Sequence, residues 1–283
     1  MASPARPGGG RSGAHQVRRF ARAFAADPVE ALLYLPEEVS RRSEHAVAYQ
    51  VDASWEAHLH ALLGAPWPCP QAARGTALWG TVAEELGALG LDFGRHTYGH
   101  YSDADEYLAR AVWCTVLHRR PEVVVETGVA RGVISRIILE ALEAGGRGHL
   151  WSIDLPHPFD RGLHTQTGVA VPDRLRARWT YVEGSSRRRL PRLSRELGRV
   201  DVFVHDSLHT ARNTRFEMDR IADVLAPGGV MLVDDISTHQ GFAPWTRDPG
   251  RAEALVCRSA DGEGLFGVVV RTDPAARGVS RAA

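Results

Sequence analysis

The sequence predicts an α/β protein: a doubly wound, Rossmann-like sheet of seven strands, mostly parallel and closed by a C-terminal antiparallel hairpin, behind a helical N-terminal lead-in. Two patterns predict it. From Glu122 to Asp235, short apolar runs alternate with helix-length amphipathic segments, the mark of successive βαβ units. After them, "EALVCRSADGEGLFGVVVRT" gives two strand-like runs joined by "DGEG", a hairpin signal. Dinucleotide-binding sheets do not usually end in such a hairpin.

The elements follow in order. Residues 1–13 ("MASPARPGGGRSG") lack the apolar stretch of a signal peptide and read as a disordered tail; residues 275–283 form a C-terminal tail. Residues 14–101 are loosely amphipathic helix ("HQVRRFARAFAA", "VEALLYL", "SWEAHLHALLG", "ALWGTVAEELGALG") broken at "GAPWPCPQAARG". Short, interrupted segments of this kind suit a lid or a homo-oligomer interface better than an independent domain. The main domain, residues 102–274, opens with a helix at "SDADEYLARAVWCTVLHRR", where Ser102 and Asp105 have capping-box spacing and Pro121 forces the stop. "EVVVETG" is continuously apolar, as expected of a strand buried on both faces of a parallel sheet. Strands at "GHLWSID", "WTYVEG", "VDVFVHD" and "GGVMLVDD" alternate with helices at "VISRIILEALEA", "RRLPRLSREL" and "TRFEMDRIADVL".

Composition excludes several classes. The 283 residues are 44% apolar and 24% charged with zero formal net charge, so no global field favours nucleic acid or an anionic membrane. The basic stretch "SSRRRLPRLSR" reads as a solvated face. No apolar run approaches the roughly 18 residues a membrane span needs. Three widely spaced cysteines (Cys69, Cys114, Cys257) form no metal-type pair and point to a reducing compartment, the cytoplasm. All 34 Lys+Arg residues are arginine, which removes lysine from any choice of catalytic base.

The loop "VVVETGVARGVIS" carries the first chemistry. Gly128 makes a tight turn that lets a ligand approach the backbone, and Gly132 allows close packing where the next helix starts. Glu126 would repel a pyrophosphate and suits a ligand with an ammonium group. Asp154, ending the second strand, is placed for ribose hydroxyls, and the small polar Ser185 and Ser186 after the third suit an adenine edge.

On these residues the stretch from about Val123 to Thr272 resembles the class I S-adenosylmethionine-dependent methyltransferases, whose sheet also ends in a hairpin. The resemblance implies S-adenosyl-L-methionine as cofactor, bound by Glu126, Gly128, Ala130, Gly132, Ser135, Asp154, Ser185 and Ser186.

Two further strand ends carry the second chemistry. "HDSLHT" and "VDDIS" follow neighbouring strands at the carboxyl edge, where Asp206, Asp234 and Asp235 would converge. Crowded carboxylates must take up protons, pair with arginine or hold a cation, and all-oxygen ligation suits magnesium; each acid could also be a simple cap. The set resembles the metal-dependent sugar O-methyltransferases of macrolide biosynthesis and the related cephalosporin-hydroxylase-type proteins. That resemblance implies Mg2+ on Asp206, Asp234 and Asp235, with His209 as general base. Catechol O-methyltransferases share the metal but use a lysine base, which this chain lacks. His205 is read as packing against or orienting a neighbour. His96, Tyr98, His100 and Tyr101 stand where that family contacts cofactor or substrate, and would serve equally as core.

The function expected is magnesium-dependent methyl transfer to a hydroxyl of a vicinal diol, on a sugar or aromatic natural product. Three rivals stand beside it: a hydroxylase-type relative working with a partner protein, an NAD(P)-dependent oxidoreductase, which Glu126 and the hairpin oppose, and a non-catalytic binding module.

Overall fold

The computed structural model describes residues 27–99, 101–156, 161–247 and 252–272. The tails expected at 1–13 and 275–283, the helix expected at 15–26, and His100 lie outside the described residues.

Four helices precede the sheet: α1 (Pro28–Arg41), α2 (Trp55–Leu63), α3 (Pro70–Ala88) and α4 (Glu106–Arg119). Helix α3 begins inside the stretch expected to be a break. Pro70 sits in its first turn, where the missing N–H is not needed and the fixed φ favours the helix. Helix α4 starts later than its capping-box spacing suggests. Asp105, not Ser102, is the N-cap, its carboxylate accepting from the N–H groups of Tyr107 at 2.8 Å and Leu108 at 3.4 Å.

Seven strands follow in one sheet: β1 (Val123–Thr127), β2 (His149–Asp154), β3 (Trp179–Glu183), β4 (Val200–His205), β5 (Leu225–Val233), β6 (Ala252–Arg258) and β7 (Leu265–Arg271). Their order is β3-β2-β1-β4-β5-β7-β6. The first five are parallel; β7 pairs antiparallel with both β5 and β6. Connecting them are α5 (Val133–Gly145), the short α6 (Arg161–His164), α7 (Ser186–Leu197) and α8 (Ala211–Ala222).

Alternating side chains explain the continuous apolar runs. Val124, Val202 and Val204 pack on one face with α4 and α5, while Val125 and Phe203 pack on the other with α7 and α8. The lead-in is part of this core. Trp55 and Leu59 of α2 join the first face, and the Trp55 ring meets Phe266 of β7 edge-on at 5.3 Å. Among the described residues no helix is long and apolar enough to cross a membrane.

Asp105 does a second job that ties α4 to the hairpin, since its carboxylate also accepts from the Ala260 N–H at 2.9 Å. Asp105→Ala should therefore lower unfolding stability by about 1–2 kcal/mol, read as a fall in the urea midpoint at constant slope, with Asp105→Asn retaining most of it. An unchanged midpoint in the alanine variant would show that water replaces the carboxylate without loss.

Candidate functional site

The strand order puts the ends of β1, β2, β4 and β5 side by side, and one backbone pattern aligns them. The first residue after each of β1, β4 and β5 donates to a carbonyl at or next to the end of its neighbour. Gly128 N–H reaches Ile153 O at 2.9 Å, Asp206 N–H reaches Thr127 O at 2.8 Å, and Asp234 N–H reaches His205 O at 2.9 Å. Each ladder thus runs one step past its strand, and the loops leave from one edge, where ligands bind in such sheets.

The glycine loop is built largely against protein. Gly128 has φ +85°, and a Cβ there would lie 1.9 Å from the Asp206 carbonyl oxygen. Its requirement for glycine thus comes from the β4 loop, not from the ligand approach read in the sequence. At Gly132, also φ +85°, a Cβ would press on Gly168 and Val171, the close packing expected at the start of α5. Ala130 adopts φ +46° and donates its N–H to Asp154 Oδ2 at 3.2 Å. Burial pushes the Asp154 carboxyl up to about 6 against the backbone N–H groups of Ala130, Val129 and Leu155.

Glu126 is fully buried, and its Oε2 accepts from Ser135 at 2.7 Å and Ser152 at 2.6 Å. Burial raises its pKa to about 7 despite those two hydroxyls, and Oε1 has no partner. Ser135, expected to touch the cofactor, is itself buried and serves Glu126. Ser185 and Ser186 also have protein partners: Ser185 N–H is capped by Glu30 of α1 at 3.1 Å, and Ser186 Oγ lies 3.4 Å from Asn213. The Ser185 hydroxyl, buried and unpartnered, is the atom of this pair left for a ligand.

Of the expected metal set, the structure gathers Asp206 and Asp234 but adds His209 in place of Asp235. One ligand atom of each of the three lies within 4.8 Å of the others, and all three residues are half-buried. His209 Nε2 is 3.7 Å from Asp206 Oδ1. Asp235 lies outside the group and is exposed, with φ +50°. Strand alternation together with that left-handed turn separates the two neighbouring acids. Burial, then Asp234 and Glu126, lifts the Asp206 carboxyl well above the carboxylate range. Burial and Asp235 lift Asp234 to about 7. Burial also takes His209 down to about 4, leaving its ring neutral, with Nδ1 buried and unpartnered.

Beneath this group is a carboxylate that sequence reading missed. Glu217 of α8, wholly buried, accepts from Thr127 at 2.5 Å, His205 Nδ1 at 2.6 Å, and Ser207 and Asn213 at 2.8 Å each. His205 meets Thr214 on its other nitrogen at 3.1 Å, so it orients its neighbours, as its reading had it. A signal existed: Asn213, Thr214 and Glu217 are polar residues on the apolar stripe that carries Met218 and Ile221. Arg131, inside the glycine loop, was also missed. It is buried and reaches Asp103 at 3.1 Å, Gln166 at 3.0 Å and the carbonyls of Asp92 at 2.5 Å and Thr97 at 2.7 Å. Tyr98 packs under it, ring centroid 5.4 Å away, and donates to Leu163 O, which resolves that aromatic as core. His96 takes φ +59° with its N–H 3.3 Å from Ser102 Oγ, and Tyr101 is exposed.

Burial works against the Glu217 charge, but His205 and the donated hydroxyls outweigh it and hold the group at about 2, below its ordinary 4.5. A depressed carboxyl contributes stability that is complete above 4.5 and lost as pH falls towards 2. The wild-type urea midpoint should thus fall across that window. Glu217→Gln should start lower at neutral pH and show a shallower fall, monitored by tryptophan fluorescence. Equal slopes would take Glu217 out of the acid response.

Residues 125–236 match the family model of a methyltransferase domain. No curated protein matches the chain. Among solved structures, an O-methyltransferase from Bacillus cereus in complex with SAH is 15% identical, covering 76% of this chain and 97% of its own at TM-score 0.48. The O-methyltransferase TomG from Streptomyces achromogenes, involved in tomaymycin synthesis and solved with SAM, is also 15% identical, with 88% and 97% covered at TM-score 0.47. Likeness at that level says nothing about substrate. The family match, the strand order and the closing hairpin agree: residues 125–236 are a methyltransferase domain, in the fold of the class I S-adenosylmethionine-dependent methyltransferases.

Proposed function

We propose that the chain is an O-methyltransferase that uses S-adenosyl-L-methionine and a divalent cation, magnesium first, to methylate one hydroxyl of a vicinal diol on a sugar or aromatic natural product. The observation that carries this reading is the meeting of Asp206, Asp234 and His209 within 4.8 Å at the sheet edge, beside the glycine loop. Two acids pushed upward by burial and mutual repulsion fit a cation, which replaces the protons they would otherwise share. The unpartnered Glu126 Oε1 and Ser185 hydroxyl fit a polar cofactor lying across the ends of β1 to β3.

Bound there, the cofactor supplies a methyl group already activated as a sulfonium, and the cation polarises an acceptor oxygen. The chain's own residues do the rest. Asp206 and Asp234 would hold the cation, with Asp235 adding negative charge from outside the group. His209, neutral at physiological pH, has a free nitrogen to take the acceptor's proton. Glu217 and His205 hold the end of β4 so that Asp206 and His209 keep their spacing. A cation held there would favour an acceptor with two adjacent oxygens. A cytoplasmic setting and a homo-oligomer contact through α1, whose Val29, Leu32, Leu35 and Val39 are exposed, complete the reading.

A second reading rests on one distance: at 3.7 Å from Asp206, His209 is close enough to be a ligand instead of the base. The same variant separates them. As base, His209→Ala lowers turnover by about 10² to 10⁴-fold with unchanged magnesium affinity, and rate returns at high pH. As ligand, the variant's magnesium affinity falls and high pH restores nothing.

Metal and cofactor should also be separable. Chelator should abolish methyl transfer, magnesium should restore it, and Asp206→Ala or Asp234→Ala should raise the magnesium needed or abolish turnover. Calorimetric S-adenosylmethionine binding should survive chelator but weaken markedly in Asp154→Ala. Full turnover in excess chelator would reduce the two acids to strand caps.

A further inference from the structure

A second group of ligand-type side chains lies far from the sheet edge, where the N-terminal helices meet. His60 in the last turn of α2, Cys69 at the N-cap of α3 and His118 in the last turn of α4 each place a ligand atom within 4.8 Å of the other two. His60 is 2% and Cys69 7% exposed. The Cys69 thiol is 3.2 Å from His118 Nε2.

We propose that His60, Cys69 and His118 form a structural site for a thiolate-preferring divalent metal, zinc first, that locks α2, α3 and α4 together. The tautomer of His60 carries the argument. Its Nδ1 is 2.7 Å from the Glu56 carbonyl, which can only accept, so Nδ1 holds the proton and Nε2 the lone pair. That Nε2 is buried and has no partner. A lone pair sealed from water without a donor is unfavourable, and a bound cation removes the penalty. The carbonyl bond is the outer-layer contact that usually orients a metal-binding imidazole.

The geometry and chemistry agree. Tetrahedral zinc, with bonds of about 2.0 to 2.3 Å, sets its ligand atoms roughly 3.5 Å apart, so the three need to close by only about an ångström. Cys114 stands one turn before His118 on the same helix, its thiol in hydrogen-bond contact with that of Cys69. One sulfur and two imidazoles select zinc or cobalt over magnesium, which separates this site from the acids at the sheet edge. Binding expels the Cys69 thiol proton to solvent. Trp67 lies against His60, centroids 4.8 Å apart, and is 41% exposed; beside it the half-buried His118 opens an entry path. The three cysteines are all free, so no disulfide competes.

Metal-stripped full-length protein titrated with Co2+ should develop a thiolate-to-cobalt charge-transfer band with tetrahedral d–d bands, saturating at one ion per chain and bleached by Zn2+. Asp206→Ala, which disables the acid group, should leave the bands unchanged. Cys69→Ser should abolish the charge-transfer band, and His118→Gln should weaken cobalt binding. In the Asp206→Ala background zinc should raise the melting temperature, and adding Cys69→Ser or His118→Gln should remove that rise. A wild type that is folded by circular dichroism but shows no thiolate band overturns the site. So does a band, or in the Asp206→Ala background a zinc-induced shift, that persists in folded Cys69→Ser. If that variant does not fold, His118→Gln decides by the same two readouts.

Discussion

The carboxylate of Glu217 organises this molecule's working edge. A fully buried charge is tolerated only where donors surround it, and here four residues from three segments converge on one side chain. Thr127 belongs to the last position of β1, His205 to the last position of β4, and Ser207 to the loop beyond. One acid on α8 therefore sets the height of two strand ends and the path of the loop that carries Asp206 and His209. His205, read from the sequence as packing against or orienting a neighbour, is one clamp of that arrangement.

A second set of buried ion pairs attaches the lead-in to the sheet. Glu37 of α1, 1% exposed, accepts from Thr210 at 2.6 Å and pairs with Arg187 at 2.7 Å, and Glu30 caps α7. From the other direction, Arg131 sends its fork into the carbonyls of Asp92 and Thr97. Guanidinium suits this role because its donors are fixed in a plane and it stays charged when buried. The lead-in is therefore fixed to the domain by polar contacts on one side and by Trp55, Leu59 and Phe266 on the other.

The sheet was legible because the hydrophobic period changes abruptly at β1 and because doubly buried strands leave unbroken apolar runs. Asp206 and Asp234 were legible as neighbours for the same reason: parallel strands adjacent in order end at one edge. Their selection over Asp235 was not, since it depends on a left-handed turn that no residue type announces. Nor was the engagement of Ser185, whose partner Glu30 is 155 positions away. The surroundings of the cysteines show the same limit. Cys69 and His118 are 49 positions apart and belong to no spaced motif, so only the packing of α3 against α4 shows that they touch.

The contact between Gly128 and the Asp206 carbonyl joins what the chemistry keeps apart. The loop beside the cofactor's expected place and the loop carrying the first acid press backbone on backbone, with no side chain between them to yield. Neither can be displaced there without the other. At that point the two halves of the site share one backbone contact, so a side chain added at Gly128 would disturb both loops at once.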